Sequence, residues 1–258
     1  MRVGIVIPTL FTRPAFLPIA ASSVSAQIPK PHLMLGCPAH LTERVSEAAG
    51  GIDATPEPVD VPLASKINYL LNNLPSECKY IGWLGDDDVL LPGAIQAAVG
   101  ILDDNPEVVM VYGGCDYVSA EGKVLFTNRS SRFAAKLMRF GPQLIPQPGS
   151  LWRREAFELV GGLSPEFNMA FDYDLFLKLS KIGELQHVPQ TLAQFRWHSG
   201  SLSVRNRTAS VFEASRVRKK HYRGVMRLIW PIWEPLVMFA TWGAGWLVSK
   251  RFKVKMVG

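Results

Sequence analysis

The 258-residue chain has few cysteines and no repetitive segment. Cys37, Cys78 and Cys115 are widely separated and odd in number, so their spacing indicates neither a disulfide framework nor a zinc site. Charged residues make up only 19% of the chain and hydrophobic residues 48%, which excludes a disordered or fibrous protein. We expect one large domain, or one domain with an appendage, with a sizeable buried core.

The start of the chain does not have the pattern of a secretory signal peptide. Pro8 interrupts the apolar run too early, and Val3–Ile7 has the β-branched composition of a buried strand that leads into Pro8 and Thr9. Together with the unpaired cysteines, this favours a reducing, cytoplasmic setting.

Positive charge is concentrated at one end of the sequence. The net charge is +6, but from Arg205 onward twelve lysines and arginines oppose only Glu213 and Glu234, whereas the rest carries 16 basic and 20 acidic residues. A mildly acidic body argues against a nucleic-acid partner. The basic tail predicts contact with an anionic surface, and we expect a peripheral protein at the inner face of the cell membrane.

Strand-like and helix-like patterns alternate through the first half, which predicts an α/β fold with a mostly parallel sheet flanked by helices. Ligands bind such sheets at the carboxyl ends of the strands. The pattern predicts strands at 3–7, 32–35, 80–84 and 108–112, and helices at 15–25, 63–74 and 92–102. The second half is more irregular, with a hairpin near Glu121 and helices at 132–139, 155–160 and 172–182.

Three consecutive carboxylates, Asp86, Asp87 and Asp88, stand where an apolar segment ends, just before Pro92. Such carboxylates repel one another and resist desolvation, so a divalent cation or a tight set of hydrogen bonds is needed to compensate them. Oxygen ligands suit Mg²⁺ or Mn²⁺, whose open positions accept diphosphate oxygens. The alternative is an acidic turn in which Asp88 caps the helix near Pro92, although a cap needs only one aspartate.

The last fifty residues form a separate region, so we divide the chain into a catalytic domain at 1–207 and a helical tail at 208–258. Residues 208–227 predict a basic helix, and 228–248 are apolar, contain four tryptophans and are interrupted by Pro231, Glu234 and Pro235. The interruptions argue against a simple membrane span and favour an interfacial or re-entrant segment on anionic lipid. The alternative is a pair of helices packed on the domain or in a homodimer interface.

Four motifs in this order resemble those of the family 2 glycosyltransferases, inverting enzymes of GT-A fold that use nucleotide sugars. The resemblance spans Arg2 to Arg223 and implies a Rossmann-like GT-A sheet with the tail as an extension. The matching segments are Val6–Thr9 with Arg13, Trp83–Asp88 with Pro92 and Gly93, Gly161–Gly162 followed by Asp172–Leu175, and Phe195–His198 with Ser201 and Ser203.

The resemblance implies a donor site for a nucleotide-diphosphate sugar. The residues that it assigns to the donor are Pro8, Thr9, Arg13, Lys66, Asn68, Asp86, Asp88 and Arg196. The alternative for Pro8 is a rigid exit from the strand, and the alternative for Lys66 is a position on a solvent-exposed helix face. Arg196, with Ser201, Ser203 and Arg205, is expected in a loop that closes on the diphosphate. At the end of the second strand, relatives often have an aspartate that binds the base of the nucleotide. Leu35–Pro38 occupy this position here, so the sequence does not identify the nucleotide base of the donor.

The resemblance also implies a bound Mn²⁺ or Mg²⁺. The first aspartate of the family's motif aligns with Gly85, so Asp87 is the expected ligand, with His198 completing the shell; a literal motif would pair Asp86 with Asp88. His198 as an ordinary, partly buried imidazole is the alternative.

Asp172 matches the family's general base, which removes a proton from the acceptor hydroxyl. Its alternative role is a helix N-cap. Gln147, Trp152 and Asp174 are assigned to the acceptor side, although Trp152 in the core and Asp174 as a supporting hydrogen-bonding residue are alternatives.

These assignments predict a metal-dependent inverting glycosyltransferase that acts on a glycan or lipid-linked acceptor in cell-surface polysaccharide synthesis. A non-catalytic, membrane-tethered module that binds nucleotide sugars is the main alternative. A nucleotidyltransferase is the other, but it would need a glycine-rich, basic loop where Pro8–Phe11 stand.

Overall fold

The structure is a computed structural model that describes residues 2–197 and 207–251. Its strands are β1 Val3–Pro8, β2 His32–Cys37, β3 Ala54–Pro56, β4 Tyr80–Trp83, β5 Val89–Leu90, β6 Val108–Val118, β7 Val124–Asn128, β8 Leu151–Arg153 and β9 Glu184–Arg196. Its helices are α1 Leu17–Ser25, α2 Thr42–Ala48, α3 Leu63–Asn72, α4 Ala94–Asp104, α5 Ala134–Leu137, α6 Arg154–Leu159, α7 Phe171–Leu179, α8 Arg207–His221 and α9 Val225–Arg251, with a 3₁₀ turn at Ala39–Leu41.

The strands form one sheet in the order β3-β2-β1-β4-β8-β6-β9-β5, with β7 paired to β6. The first four strands in this order are parallel, and β8 joins them to β6 by antiparallel pairs on both sides. The predicted α/β fold is confirmed. In the parallel part, β1 lies beside β4 with Val6 opposite Trp83, so the residues that follow both strands emerge at the same edge.

Two hydrophobic clusters cover the two faces of the sheet. Val3, Ile5 and Ile7 pack on the side of α1, α2 and α4, whereas Val6 packs on the side of α3, α6 and α7. A strand buried on both faces needs apolar residues at every position, which is why β1 is a continuous apolar run.

Several boundaries differ from the sequence prediction. The strand at 108–112 extends to Val118, and β3, β5, β8 and β9 were not predicted. The last strand was missed because Pro189 and polar residues hide its alternation, while its long parallel pairing with β6 holds it in the sheet. The predicted helix at 132–139 is reduced to the single turn of α5.

The tail folds as two helices. α8 ends at His221 and α9 begins at Val225, on either side of a short break that contains Gly224 at φ +54°. Pro231 and Pro235 lie within α9, which continues through both. α8 packs against the domain, and its Val217 is fully buried in the same cluster as α7. In the part of the tail that is described, no helix is long and apolar enough to cross a membrane.

Candidate active site

The loop after β1 contacts the aspartates that follow β4. The Thr9 hydroxyl donates to Asp86 Oδ2 at 2.5 Å, and Arg13 donates to Asp86 Oδ1 at 3.1 Å and to Asp87 Oδ2 at 2.6 Å. Thr9 N–H also donates to Gly36 O at the end of β2. The carboxyl ends of three neighbouring parallel strands therefore meet at one polar site, as the sequence predicted for Pro8, Thr9, Arg13, Asp86 and the strand ends.

The three aspartates have different environments. Asp88 is buried and its Oδ1 accepts the Arg196 N–H at 3.1 Å. Burial, followed by the charge of Asp87, raises its pKa well above the usual range. The predicted helix cap is wrong, since α4 begins at Ala94 after Gly93 and Asp88 faces β9. Asp87 is the least buried of the three.

Gly85 has little space for a side chain beside the aspartates that follow it. A Cβ atom at this position would lie 2.7 Å from Asp88 Oδ2 and 3.1 Å from Asp87 Oδ1. An aspartate here would add a fourth carboxylate to the same space. The third aspartate, Asp88, thus occupies the volume that a side chain at position 85 would need.

Arg196 is the last residue of β9, so the prediction that it belongs to a mobile loop is wrong. Its guanidinium donates to the backbone oxygens of Asp87 at 3.0 Å, Ser119 at 3.2 Å and Ala120 at 2.8 Å, and it lies over the Phe16 ring at 4.4 Å. These contacts fix the aspartate loop against the β6–β7 hairpin. His198, with Ser201, Ser203 and Arg205, lies outside the described residues.

Lys66 and Asn68 are held by protein groups. Lys66 pairs with Glu57 at 2.6 Å, and Asn68 binds both the N–H and the oxygen of Leu163, at 2.9 and 2.8 Å. Asn68 therefore anchors the turn whose Gly162 has φ +65°, where a Cβ atom would lie 2.9 Å from Asn68 Oδ1.

Glu57, which the sequence analysis missed, follows β3 and donates its N–H to Cys37 O. It places a carboxylate beside the end of β2.

Asp172 lies in the first turn of α7, and Ala170 occupies the N-cap position. The alternative role of Asp172 as the cap is therefore wrong. Its Oδ2 accepts Gln143 Nε2 at 2.7 Å and its Oδ1 accepts the Tyr173 N–H at 2.8 Å. Burial raises the pKa of Asp172, and these two hydrogen bonds act in the opposite direction.

One ring contact connects the segment of Asp172 with the end of β4. The Trp83 ring, at the end of β4, lies 5.8 Å from the ring of Phe171, the residue before Asp172.

The three residues assigned to the acceptor side do not form one surface. Trp152 is fully buried in the core, paired with Ile81 and Met110 across the sheet. Gln147 is buried and donates to Trp83 O at 2.8 Å. Asp174, on α7, is fully buried against α8. Its carboxylate oxygens lie 2.9 Å from His221 Nε2 and 3.0 Å from Lys178 Nζ. The acceptor-side assignment is therefore wrong for Trp152 and Asp174, whose side chains are enclosed.

The tail helix α8 supplies the group that caps α7. Glu213 is buried, and its carboxylate accepts the N–H groups of Asn168 and Ala170 at 3.1 Å and of Met169 at 2.7 Å. The sequence pattern contains no signal for this contact, because it joins residues more than forty positions apart. A carboxylate at a helix N terminus is stabilised by the free N–H groups and the helix dipole. Glu213 thereby fixes the segment that carries Asp172.

We expect Glu213→Ala to leave these buried N–H groups without an acceptor and to lower the free energy of unfolding by about 1–3 kcal/mol. Chemical denaturation measures this change. Glu166→Ala is the matched control, because Glu166 pairs with Arg216 and Lys220 of the same helix but is exposed, and such pairs contribute at most about 1 kcal/mol. Equal losses in the two variants would contradict the capping role.

We compared the chain with known proteins once this geometry was established. No protein-family model matches it. An uncharacterized glycosyltransferase of Rickettsia conorii is 28% identical over 155 residues, which is 55% of this chain and 25% of that protein. Chondroitin synthase of Pasteurella multocida is 25% identical over 128 residues, which is 49% of this chain and 13% of the synthase. The chain thus spans a quarter or less of the length of these two relatives.

Solved structures share the fold at low sequence identity. TarS of S. aureus in complex with UDP-GlcNAc has a TM-score of 0.62 at 10% identity, covering 86% of this chain and 66% of TarS. A mannosyltransferase of Pyrobaculum calidifontis in complex with GDP-Man and Mn²⁺ has a TM-score of 0.60 at 15% identity, covering 97% of this chain and 75% of that chain. The solved structures show that the chain has a GT-A type fold, and its sequence is similar to glycosyltransferases, in agreement with the resemblance seen in its motifs.

Proposed function

We propose that the chain is a metal-dependent inverting glycosyltransferase. It transfers a sugar from a nucleotide-diphosphate sugar to a hydroxyl of a glycan or lipid-linked acceptor in cell-surface polysaccharide synthesis. The observation that carries this proposal is the contact of Thr9 and Arg13 with Asp86 and Asp87 at the edge of the parallel sheet. The matches to a glycosyltransferase and a glycan synthase, and solved neighbours in complex with UDP-GlcNAc or GDP-Man, support it.

The donor set at this edge fits a hard divalent cation. Asp87 would hold it, assisted by Asp86, because both present carboxylate oxygens beside the strand ends. No group of three histidine, cysteine or acidic side chains within 2–197 and 207–251 is arranged to hold a metal alone. The diphosphate and water would complete the shell, as is usual for Mg²⁺. When bound, the cation supplies Lewis-acid stabilisation of the leaving diphosphate.

Asp172 acts as the base in this proposal. Gln143 and Tyr173 N–H hold its carboxylate in one orientation, and Trp83 and Phe171 connect its helix with the donor loop. An inverting transfer needs one carboxylate that accepts the proton of the attacking hydroxyl. Burial brings the pKa of Asp172 upward, which makes it a stronger base than an exposed aspartate.

The pH dependence tests this assignment. The Gln143 hydrogen bond lowers the pKa of Asp172, so in Gln143→Met that pKa rises further. A base must be ionised, so we expect the acid limb of the kcat/KM profile to move to higher pH. Gln190→Met, at an exposed glutamine of β9, should leave the profile unchanged. An acid limb that stays in place in the Gln143 variant would remove Asp172 from the role of base.

The tail contacts an anionic membrane surface in this proposal. α9 exposes Leu228, Ile232, Leu236 and Phe239, each more than two-thirds accessible, and Lys250 and Arg251 lie in its last turn. An exposed apolar stripe flanked by basic residues suits the headgroup region of anionic lipid. This arrangement would bring a cytoplasmic active site to a lipid-linked acceptor.

Donor hydrolysis by the purified chain tests the proposed reaction. A panel of nucleotide sugars is incubated with and without Mn²⁺, using wild type and Asp87→Asn. We expect one donor to release its nucleoside diphosphate only with Mn²⁺, and Asp87→Asn to require much more metal. Asp53→Asn is the control, since Asp53 lies outside the site. Binding without release, even with a lipid acceptor, would favour a non-catalytic binding module.

A further inference from the structure

A basic cavity of about 200 Å³ lies where α8 meets α9, at the opposite end of α7 from Asp172. The end of α7, the segment after α5 and the break between α8 and α9 form its walls. We call it the junction cavity. Its basic lining residues are Arg139, Lys181, His221 and Arg223, and Leu177 and Met226 contribute apolar surface.

The cations of the junction cavity are oriented by a chain of hydrogen bonds. Lys181 Nζ lies 2.7 Å from His221 Nδ1, and His221 Nε2 lies 2.9 Å from Asp174 Oδ1. Because an ammonium group can only donate, Nδ1 is the acceptor and the Nε2–H donates to Asp174. Lys181 uses one of its three N–H groups in this contact, and the other two remain available to a ligand.

Among the described residues, no aspartate or glutamate lines the junction cavity. Burial lowers the pKa of Lys181, and the charges of Arg223 and Arg139 add to this effect, whereas the charge of Asp174 behind His221 acts in the opposite direction. Gathering like charges in this way costs free energy that a bound anion would recover. The carbonyl groups at the C-terminal end of α7 explain the position of Arg139, which donates to Ser180 O at 2.6 Å. It does not account for Arg223, which belongs to the break after α8.

The junction cavity also borders the apolar surface of α9. Phe140 stacks on Tyr222 at 6.5 Å between ring centroids, and Met226 continues the wall into α9. Val225 and Leu228, at the start of that helix, are 68% and 79% exposed. A ligand with an anionic head in the cavity could therefore lay an apolar chain along α9.

We propose that the junction cavity binds a phosphate group, carried by a membrane lipid or free in solution. Two or three cations that converge on one concave site, with N–H donors still available, match the charge and the acceptor oxygens of a phosphate. The site is separate from the donor site, and the inference goes beyond the proposed transfer reaction and does not depend on it.

Two binding measurements on the full chain test this proposal. Isothermal titration calorimetry measures inorganic phosphate, and co-sedimentation measures phosphatidylcholine vesicles with and without phosphatidylglycerol. The cavity variant is Lys181→Gln/Arg223→Gln. The matched control is Arg216→Gln/Lys219→Gln, which removes the same charge from exposed positions of α8 outside the cavity. Thermal melting confirms that both variants are folded.

We expect the cavity variant to lose at least about tenfold in affinity in one or both measurements, while the control stays within about threefold of wild type. Selective loss of vesicle binding identifies a lipid phosphate as the ligand, and selective loss of inorganic phosphate alone identifies a soluble one. Equal losses in the two variants, or no saturable binding of either probe by the wild type, would overturn the proposal. Diffuse attraction between the tail and anions would then be sufficient.

Discussion

Asp172→Asn is expected to lower the rate of sugar transfer by at least about 10²-fold while the donor binds as tightly as before. The amide keeps the size of the side chain, and its oxygen can still accept the Tyr173 N–H, while its NH2 group can donate to the amide oxygen of Gln143 once that side chain turns over. It cannot accept the proton of the acceptor hydroxyl. Steady-state transfer to an identified acceptor, together with direct titration of the nucleoside diphosphate, measures the two effects separately.

Asp174→Asn is the comparison for this variant, because the two aspartates lie on the same turn of α7. Burial acts to raise the pKa of Asp174, but hydrogen bonds and charges from His221, Lys178 and Lys220 outweigh it and lower the pKa. We expect this variant to melt at a lower temperature and to keep its turnover below that temperature. The reverse pattern, with transfer lost in Asp174→Asn and retained in Asp172→Asn, would contradict our assignment of the base.

Arg218→Met is expected to lower the free energy of unfolding by about 3–5 kcal/mol, because it leaves Glu234 charged and unpaired in the interior. Both side chains are almost fully buried, and Arg218 Nε donates to Glu234 at 3.1–3.2 Å while its Nη1 reaches Gly141 O at 3.2 Å. The pair joins α8 to α9 and to the segment before the Gln143 contact. Urea denaturation measures the loss.

Two further variants separate the buried pair from ordinary charge removal. Arg216→Met removes an exposed arginine two residues earlier that pairs with Glu166, so we expect a change of about 0.5 kcal/mol or less. Arg218→Met/Glu234→Leu removes both charges and should recover most of the stability. If the double variant is no more stable than Arg218→Met alone, desolvation of Glu234 is not the cause of the loss.

The sequence predicted the parallel half of the sheet because each of its signals is local. Val3–Ile7 is apolar at every position, and the aspartates follow the apolar segment of β4 directly. Parallel strands have their carboxyl ends at one edge of the sheet, so the residues that follow β1 and β4, such as Thr9 and Asp86, lie at the same edge. Asp172 was found through its motif, and its role as the base stays a prediction.

Other assignments failed because they depended on distant partners. Trp152 and Asp174 have polar atoms and lie near the motifs, yet the fold encloses both. Arg196 was assigned to a loop through the family resemblance, and only its pairing with β6 makes it a strand residue.

By itself the sequence determined the α/β class, the strand ends at which the polar residues gather and the charge difference between body and tail, since periodicity, turn residues and composition are properties of neighbouring residues. Only the tertiary structure decided how the three aspartates differ, that Glu213 caps α7 and that Arg218 and Glu234 are paired in the interior. Each of these depends on desolvation and on contacts between residues that lie far apart in the chain, which no local pattern records.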